Sequence, residues 1–133
     1  MADFLFVYGT LRPGFAPAEI AAAAARLRLV GEAWVTGELY DLGHYPGVVL
    51  GNDPANKVFG LLFELPDDSS VLPALDEYEE FLPDLPEASQ FLRVRCEAAL
   101  ADGSAVRCWI YVYARSLAGA RKIDDGRWPG PTE

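Results

Sequence analysis

Phe91-Leu92-Arg93-Val94-Arg95-Cys96-Glu97-Ala98-Ala99-Leu100-Ala101-Asp102-Gly103-Ser104, continued by the run from Val106 to Tyr113, is the stretch that decides the fold. Leu92, Val94, Cys96, Ala98 and Leu100 alternate with Arg93, Arg95 and Glu97, the period of a half-buried strand, and Val106, Cys108, Ile110 and Val112 repeat it. Ala101-Asp102-Gly103 suits a three-residue hairpin loop with Gly103 in the left-handed conformation, which sets Leu100 opposite Ser104. Counting back from there, Cys96 faces Cys108, Glu97 faces Arg107 and Arg95 faces Trp109. A salt pair and a cation–π pair thus support one register. The two cysteines read as small inward-facing hydrophobes kept reduced, with a strained cross-strand disulfide as the alternative. They form neither a CxxC motif nor a cluster with His44, the single histidine, so no metal site is expected.

Outward from this hairpin the chain carries more strands and two helical stretches. Phe4 to Tyr8 is rich in β-formers and stops at Gly9, the pattern of a buried strand. From Pro17 the chain turns Ala-rich, with Glu19 early, Arg26 and Arg28 late and Gly31 beyond, which predicts a helix ending near Val30. Strands are expected at Glu32 to Tyr40, around Gly47 to Leu50 and at Lys57 to Leu65. Asp67-Asp68-Ser69-Ser70 offers N-caps for a second helix running to about Glu80, with Pro73 tolerated in its first turn. The tail from Gly126 is expected to fray. Many short strands with two helices out of strict alternation predict an α+β fold on a curved or closed antiparallel sheet.

Composition narrows the function. The 133 residues are 51% hydrophobic and 12% aromatic, enough for one domain over 1–133 with its own core. With 11 Lys plus Arg against 20 Asp plus Glu, the net charge of −9 disfavours nucleic acid and anionic membrane surfaces as partners. Phe4 to Tyr8 is too short to span a bilayer, and Met1-Ala2-Asp3 lacks a basic leader, so a cytoplasmic location is expected.

Elimination removes several chemistries. No G-x-S-x-G elbow is present, and any Ser or Cys triad would need His44, which reads as an exposed turn residue. Gly9-Thr10-Leu11-Arg12-Pro13-Gly14 has the outer glycines of a P-loop, but Phe15 and Ala16 replace the Lys and Ser or Thr that hold phosphate and magnesium. Two features remain. One is the strand exit at Tyr8-Gly9-Thr10-Leu11, where unpaired backbone N–H groups can form a nest for a small carboxylate; the alternative is a plain strand exit. The other is Glu79. At roughly 100° per residue, Leu72, Leu75, Tyr78 and Leu82 make an apolar stripe with Glu79 at its edge, while Asp76, Glu77 and Glu80 point away. A carboxylate turned inward is a better proton acceptor than its exposed neighbours; the alternative is a boundary glutamate that reaches water or pairs with Arg93.

Five segments, in order, carry a resemblance: Phe6-Val7-Tyr8-Gly9-Thr10-Leu11-Arg12-Pro13-Gly14, Gly37 to Gly47, Leu75-Asp76-Glu77-Tyr78-Glu79, Phe91-Leu92-Arg93, and Ile123 to Trp128. Together they resemble the gamma-glutamylcyclotransferase-like superfamily, in particular its small branch that includes gamma-glutamylamine cyclotransferase. The resemblance implies a small mixed, mostly antiparallel β-barrel flanked by two helices, with Glu79 and the Tyr8-Gly9-Thr10-Leu11 loop sharing one cavity. It implies cyclisation of a γ-glutamyl group to 5-oxoproline with release of an amine or amino acid, no cofactor, and a small-molecule substrate as partner. Glu79 would be the base, and Tyr8, Gly9, Thr10, Leu11, Arg12, Arg93 and Tyr113 would contact substrate, with Arg93 also fitting a structural partner of Glu79 or of an aromatic ring. Phe91 stands where the family often has Tyr, and Glu80 where it usually has Gly; Tyr113 could supply a replacement hydroxyl. The rival function is a non-catalytic module that binds a small carboxylate or a partner.

Overall fold

A computed structural model of the chain describes residues 3–9, 22, 25–42, 46–53, 55–66, 71–79 and 89–127. Seven strands fall in this set: β1 (Phe4–Val7), β2 (Arg28–Asp41), β3 (Pro46–Leu50), β4 (Lys57–Glu64), β5 (Phe91–Leu100), β6 (Ala105–Tyr113) and β7 (Arg121–Lys122). One helix, α1, spans Val71–Tyr78. The neighbour order β2-β4-β1-β6-β5 closes on itself through a β2–β5 pairing, giving a five-stranded barrel. Only β1–β6 is parallel; β3 and β7 add to β2 outside the ring. Two residue pairs close the ring, Ala33 with Leu100 and Trp34 with Ala99.

Period-2 alternation sorts the side chains of each strand to two sides. Phe6, Val35, Val58, Leu62, Ala98 and Ile110, drawn from all five ring strands, fill the interior. Leu5, Val7, Phe63, Phe91 and Tyr111 face outward and are covered by Val71 and Leu75 of α1. Tyr8 belongs to the interior set and Tyr111 to the outer one, so the two tyrosines approach from opposite sides of the wall.

The predicted hairpin is present in register: Cys96 pairs with Cys108, Glu97 with Arg107 and Arg95 with Trp109. Gly103 has φ +89°, and its N–H donates to Leu100 O at 3.0 Å while Leu100 N–H donates to Ser104 O at 2.9 Å. Arg95 stacks on Trp109 with its guanidinium carbon 4.0 Å from the ring centroid. Both cysteines are free thiols, with sulfurs 3.7 Å apart.

Two expectations are corrected. The helix predicted to end near Val30 stops earlier: residues 25–26 form a turn and Arg28–Val30 already belong to β2. Gly31 is therefore not a helix cap but follows a register shift between Leu29 and Gly31 against β4, a bulge that accommodates the bend of a strand wrapping a barrel. Basic residues in a last helical turn and on a strand are alike in sequence; here Arg28 pairs with Glu64 across β2 and β4. The rest of that helix, apart from Ala22, lies outside the described residues, as do the N-caps 67–70 and His44. Of the tail, residues 128–131 lie outside the described residues, and it does not fray at Gly126. That residue is buried with φ +69°, its carbonyl accepts the Phe59 N–H at 2.8 Å, and Arg127 stacks on the Phe59 ring at 4.1 Å.

Candidate active site

The site is built where β1 runs out. Tyr8 follows the last β1 residue and is 6% exposed. Its hydroxyl donates to the backbone carbonyl of Tyr111 at 2.5 Å, fixing the strand exit against β6. Burial pushes the phenol well above its ordinary pKa; the Glu79 charge adds to the rise, and a hydrogen bond with the Val48 backbone opposes it. Gly9, next in the chain, is buried. Thr10, Leu11 and Arg12 lie outside the described residues.

Helix α1 brings the acids. Its buried arc runs from Val71 through Leu75 to Asp76, so Asp76 faces the sheet, against the prediction that it points away. The Leu72–Leu75–Tyr78 stripe gives the apolar side of α1 correctly but not the width of its contact. The surface beneath is polar at one edge, and a helix turned toward that edge buries an acid one position past Leu75. Arg93 grips Asp76 with two parallel bonds, Nε to Oδ1 at 2.8 Å and Nη2 to Oδ2 at 3.2 Å, and the Tyr111 hydroxyl donates to Oδ1 at 2.7 Å. Asp76 is thus an acid partner of Arg93 that helical phase did not indicate. The aromatic partner expected for Arg93 is Trp109, 4.3 Å from guanidinium carbon to ring centroid.

Glu79 follows the last helical residue, with its N–H still bonded to Leu75 O at 2.9 Å, and is half-buried. Its charge acts on Tyr8 and on Tyr111, whose phenol is raised chiefly by burial, then by Asp76 and Glu79, with Arg93 opposing. Glu77, two residues earlier, is exposed. The sheet wall beneath the helix therefore brings together Tyr8, Tyr111, Asp76, Arg93 and Glu79, contributed by β1, β6, α1 and β5. Tyr113 ends β6 opposite Phe91, with ring centroids 5.4 Å apart edge to face. Gly47 leaves room for it: a Cβ there would lie 2.9 Å from the Tyr113 Cβ.

Asp76 and Tyr111 are the residues that sequence reasoning missed. The signal was available in the hairpin register, which sets Arg93 beside Tyr111 on the outward face. A guanidinium covered by a helix needs an acid from that helix. Among the described residues no group of three or more His, Cys, Asp or Glu is placed to hold a metal ion, and no helix is long and apolar enough to cross a membrane.

A five-stranded barrel with an acid-bearing helix packed on its outer face defines a class, and the family model described as "Gamma-glutamyl cyclotransferase, AIG2-like" matches residues 5–130. The chain belongs to this family. It is 32% identical over 125 residues to the gamma-glutamylcyclotransferase family protein ytfP of Citrobacter rodentium, covering 93% of each chain. It is 34% identical over 112 residues to the gamma-L-glutamyl-butirosin B gamma-glutamyl cyclotransferase of Niallia circulans, covering 84% of this chain and 67% of that one. The solution structure of ytfP from Escherichia coli superposes with a TM-score of 0.64 at 28% identity, covering 95% of this chain and 96% of the other.

Proposed function

We propose that the protein is a γ-glutamyl cyclotransferase in which Glu79 shuttles protons and the Tyr8-Gly9-Thr10-Leu11 exit holds the substrate. The observation that carries this reading is the convergence of Glu79 with the β1 exit. Glu79, its N–H bonded to Leu75 O, ends the helix whose Leu75 packs in one cluster with Val7, the residue before Tyr8, and its charge bears on the Tyr8 phenol, where the proposed anion-binding backbone begins.

The α-ammonium of a γ-glutamyl group gives one proton to Glu79 and attacks its own γ-carbonyl through the freed lone pair. The new C–N bond closes a five-membered ring, and the addition intermediate releases a second proton from the same nitrogen. Glu79 hands the first proton to the leaving nitrogen and, free again, takes the second; as the bond from the γ-carbon to that nitrogen breaks, the second proton follows and it departs as an ammonium, leaving 5-oxoproline. Glu79 acts as base and then as acid. Nucleophile and electrophile belong to one molecule, so holding it folded supplies much of the acceleration.

Backbone N–H groups of Gly9 to Leu11 grip the α-carboxylate or polarise the reacting carbonyl, with Arg12 adding positive charge. Arg93 steadies the helix end and lends its charge to the same wall, and Tyr113 offers the hydroxyl that Phe91 lacks. No cofactor is needed. The Niallia circulans relative is named for a γ-glutamyl group on butirosin B, which supports a γ-glutamyl compound as substrate. Incubation with a panel of γ-glutamyl amines and γ-glutamyl amino acids, followed by assay for 5-oxoproline, tests the proposal. Release from at least one member is expected. Binding by calorimetry with no release across the panel would replace the enzyme with a carboxylate-binding module.

A further inference from the structure

Asp76 has no step in the reaction above, yet it is 7% exposed and its carboxylate accepts three hydrogen bonds. Burying such a charge is costly even when it is paired, and apolar side chains would hold a helix to a sheet at least as firmly. What a planar fork adds is orientation: two parallel bonds from Arg93 fix the carboxylate in a plane, and the Tyr111 hydroxyl fixes it from a second strand. Tyr111 is also the residue whose backbone carbonyl receives the Tyr8 hydroxyl. One β6 residue therefore ties α1 through its side chain and the β1 exit through its main chain.

We propose that Asp76, clamped by Arg93 and Tyr111, is a positioning residue that sets the rotation of α1 and hence the direction in which Glu79 points toward the Tyr8-Gly9 exit. The role rests on Glu79 being the base. Glu79 lies three residues past Asp76, on nearly the same side of the helix. A carboxylate about 6 Å from the helix axis moves by about 2 Å when the helix turns by about 20°, and a misplacement of about 1 Å can cost about 100-fold in rate.

The test measures kcat and KM for the parent, Tyr111→Phe and Asp76→Asn on the γ-glutamyl substrate that the parent turns over best, with the folded fraction read by circular dichroism in the same samples. Tyr111→Phe removes one oxygen and keeps the ring and the carbonyl that Tyr8 uses. It is expected to fold, to lose at least about tenfold in kcat, and to keep KM within about twofold, because the substrate carboxylate is gripped elsewhere. Asp76→Asn is expected to lose more, and Arg93→Lys, which keeps the charge without the fork, to retain more kcat than Arg93→Met.

A purely structural clamp would lower the melting temperature and leave kcat per folded molecule at the parent value; that result for Tyr111→Phe overturns the proposal. Should Asp76→Asn fail to fold, Tyr111→Phe decides alone. A parent that turns over substrate beside an undiminished Tyr111→Phe removes only the positioning role. A parent that releases no 5-oxoproline from any substrate removes the base, and the positioning role falls with it.

Discussion

Gly9 and Thr10 separate a main-chain role from a side-chain one. If the backbone at Gly9 must approach a substrate carboxylate, a methyl group there crowds the ligand, whereas Thr10→Ala keeps the N–H that does the binding. Losing a hydrogen bond to a charged group is worth roughly 1.5 to 3 kcal/mol, so Gly9→Ala should raise KM by at least about tenfold while Thr10→Ala changes it little. Steady-state kinetics on folded variants decide this, and an unchanged KM in Gly9→Ala would make the loop a plain strand exit. Glu77 offers the matching control on the helix: its side chain is exposed, so Glu77→Gln should leave kcat and KM at the parent values. At this scale the half-buried position of Glu79 was legible from helical phase, because it lies at the edge of an apolar stripe. Asp76 was not, because phase read on one helix carries no information about the polar strand residues that the helix covers.

The hairpin shows what sequence resolves at the level of elements. A strict alternation on both sides of Ala101-Asp102-Gly103 admits one register, and the structure has it. The positive φ of Gly103 is a backbone demand alone, since a Cβ there would meet nothing within 4 Å. Gly126 carries the same demand and a second: a Cβ would lie 1.9 Å from the Lys57 carbonyl oxygen. In urea melts Gly103→Ala should therefore cost about 1 kcal/mol, and Gly126→Ala clearly more, because the tail would be forced off β4. Equal costs would mean that the tail does not pack as described. Gly103→Val should cost at least about 1 kcal/mol, and Ser104→Val less, because its backbone N–H keeps its bond to Asp102 Oδ1. The elements misread from sequence share a cause. Arg28–Val30 joined a helix on paper because an Ala-rich run and a late glycine mimic a helix end, and β7, two residues long, has no period to detect.

For the whole molecule, closure of the barrel puts Tyr8 and Tyr111 back to back through one wall, both with phenols raised chiefly by burial. The unfolded chain ionises tyrosine near pH 10 while these two stay protonated when folded. Their contribution to stability is thus complete below about pH 10 and is lost as pH rises above it, at about 1.4 kcal/mol per pH unit for each. Unfolding free energies from urea melts across this alkaline range should fall less steeply in Tyr111→Phe than in the parent, by about that amount; parallel slopes would mean that Tyr111 is not buried as described. Residue patterns alone left the sheet curved or closed, and only the family resemblance implied a barrel, because the β2–β5 pairing that completes the ring joins strands far apart in sequence and leaves no local pattern.

The role proposed for the carboxylate at the end of α1 is to move the protons in a cyclisation at the β1 exit. Its most direct measurement is 5-oxoproline release by the parent and by Glu79→Gln, side by side, on the best γ-glutamyl substrate, with both proteins shown to be folded. An amide fills the same space but cannot accept the proton. Turnover is expected in the parent and none above background in Glu79→Gln, with substrate still bound by calorimetry. A folded Glu79→Gln that releases 5-oxoproline at the parent rate would contradict that role.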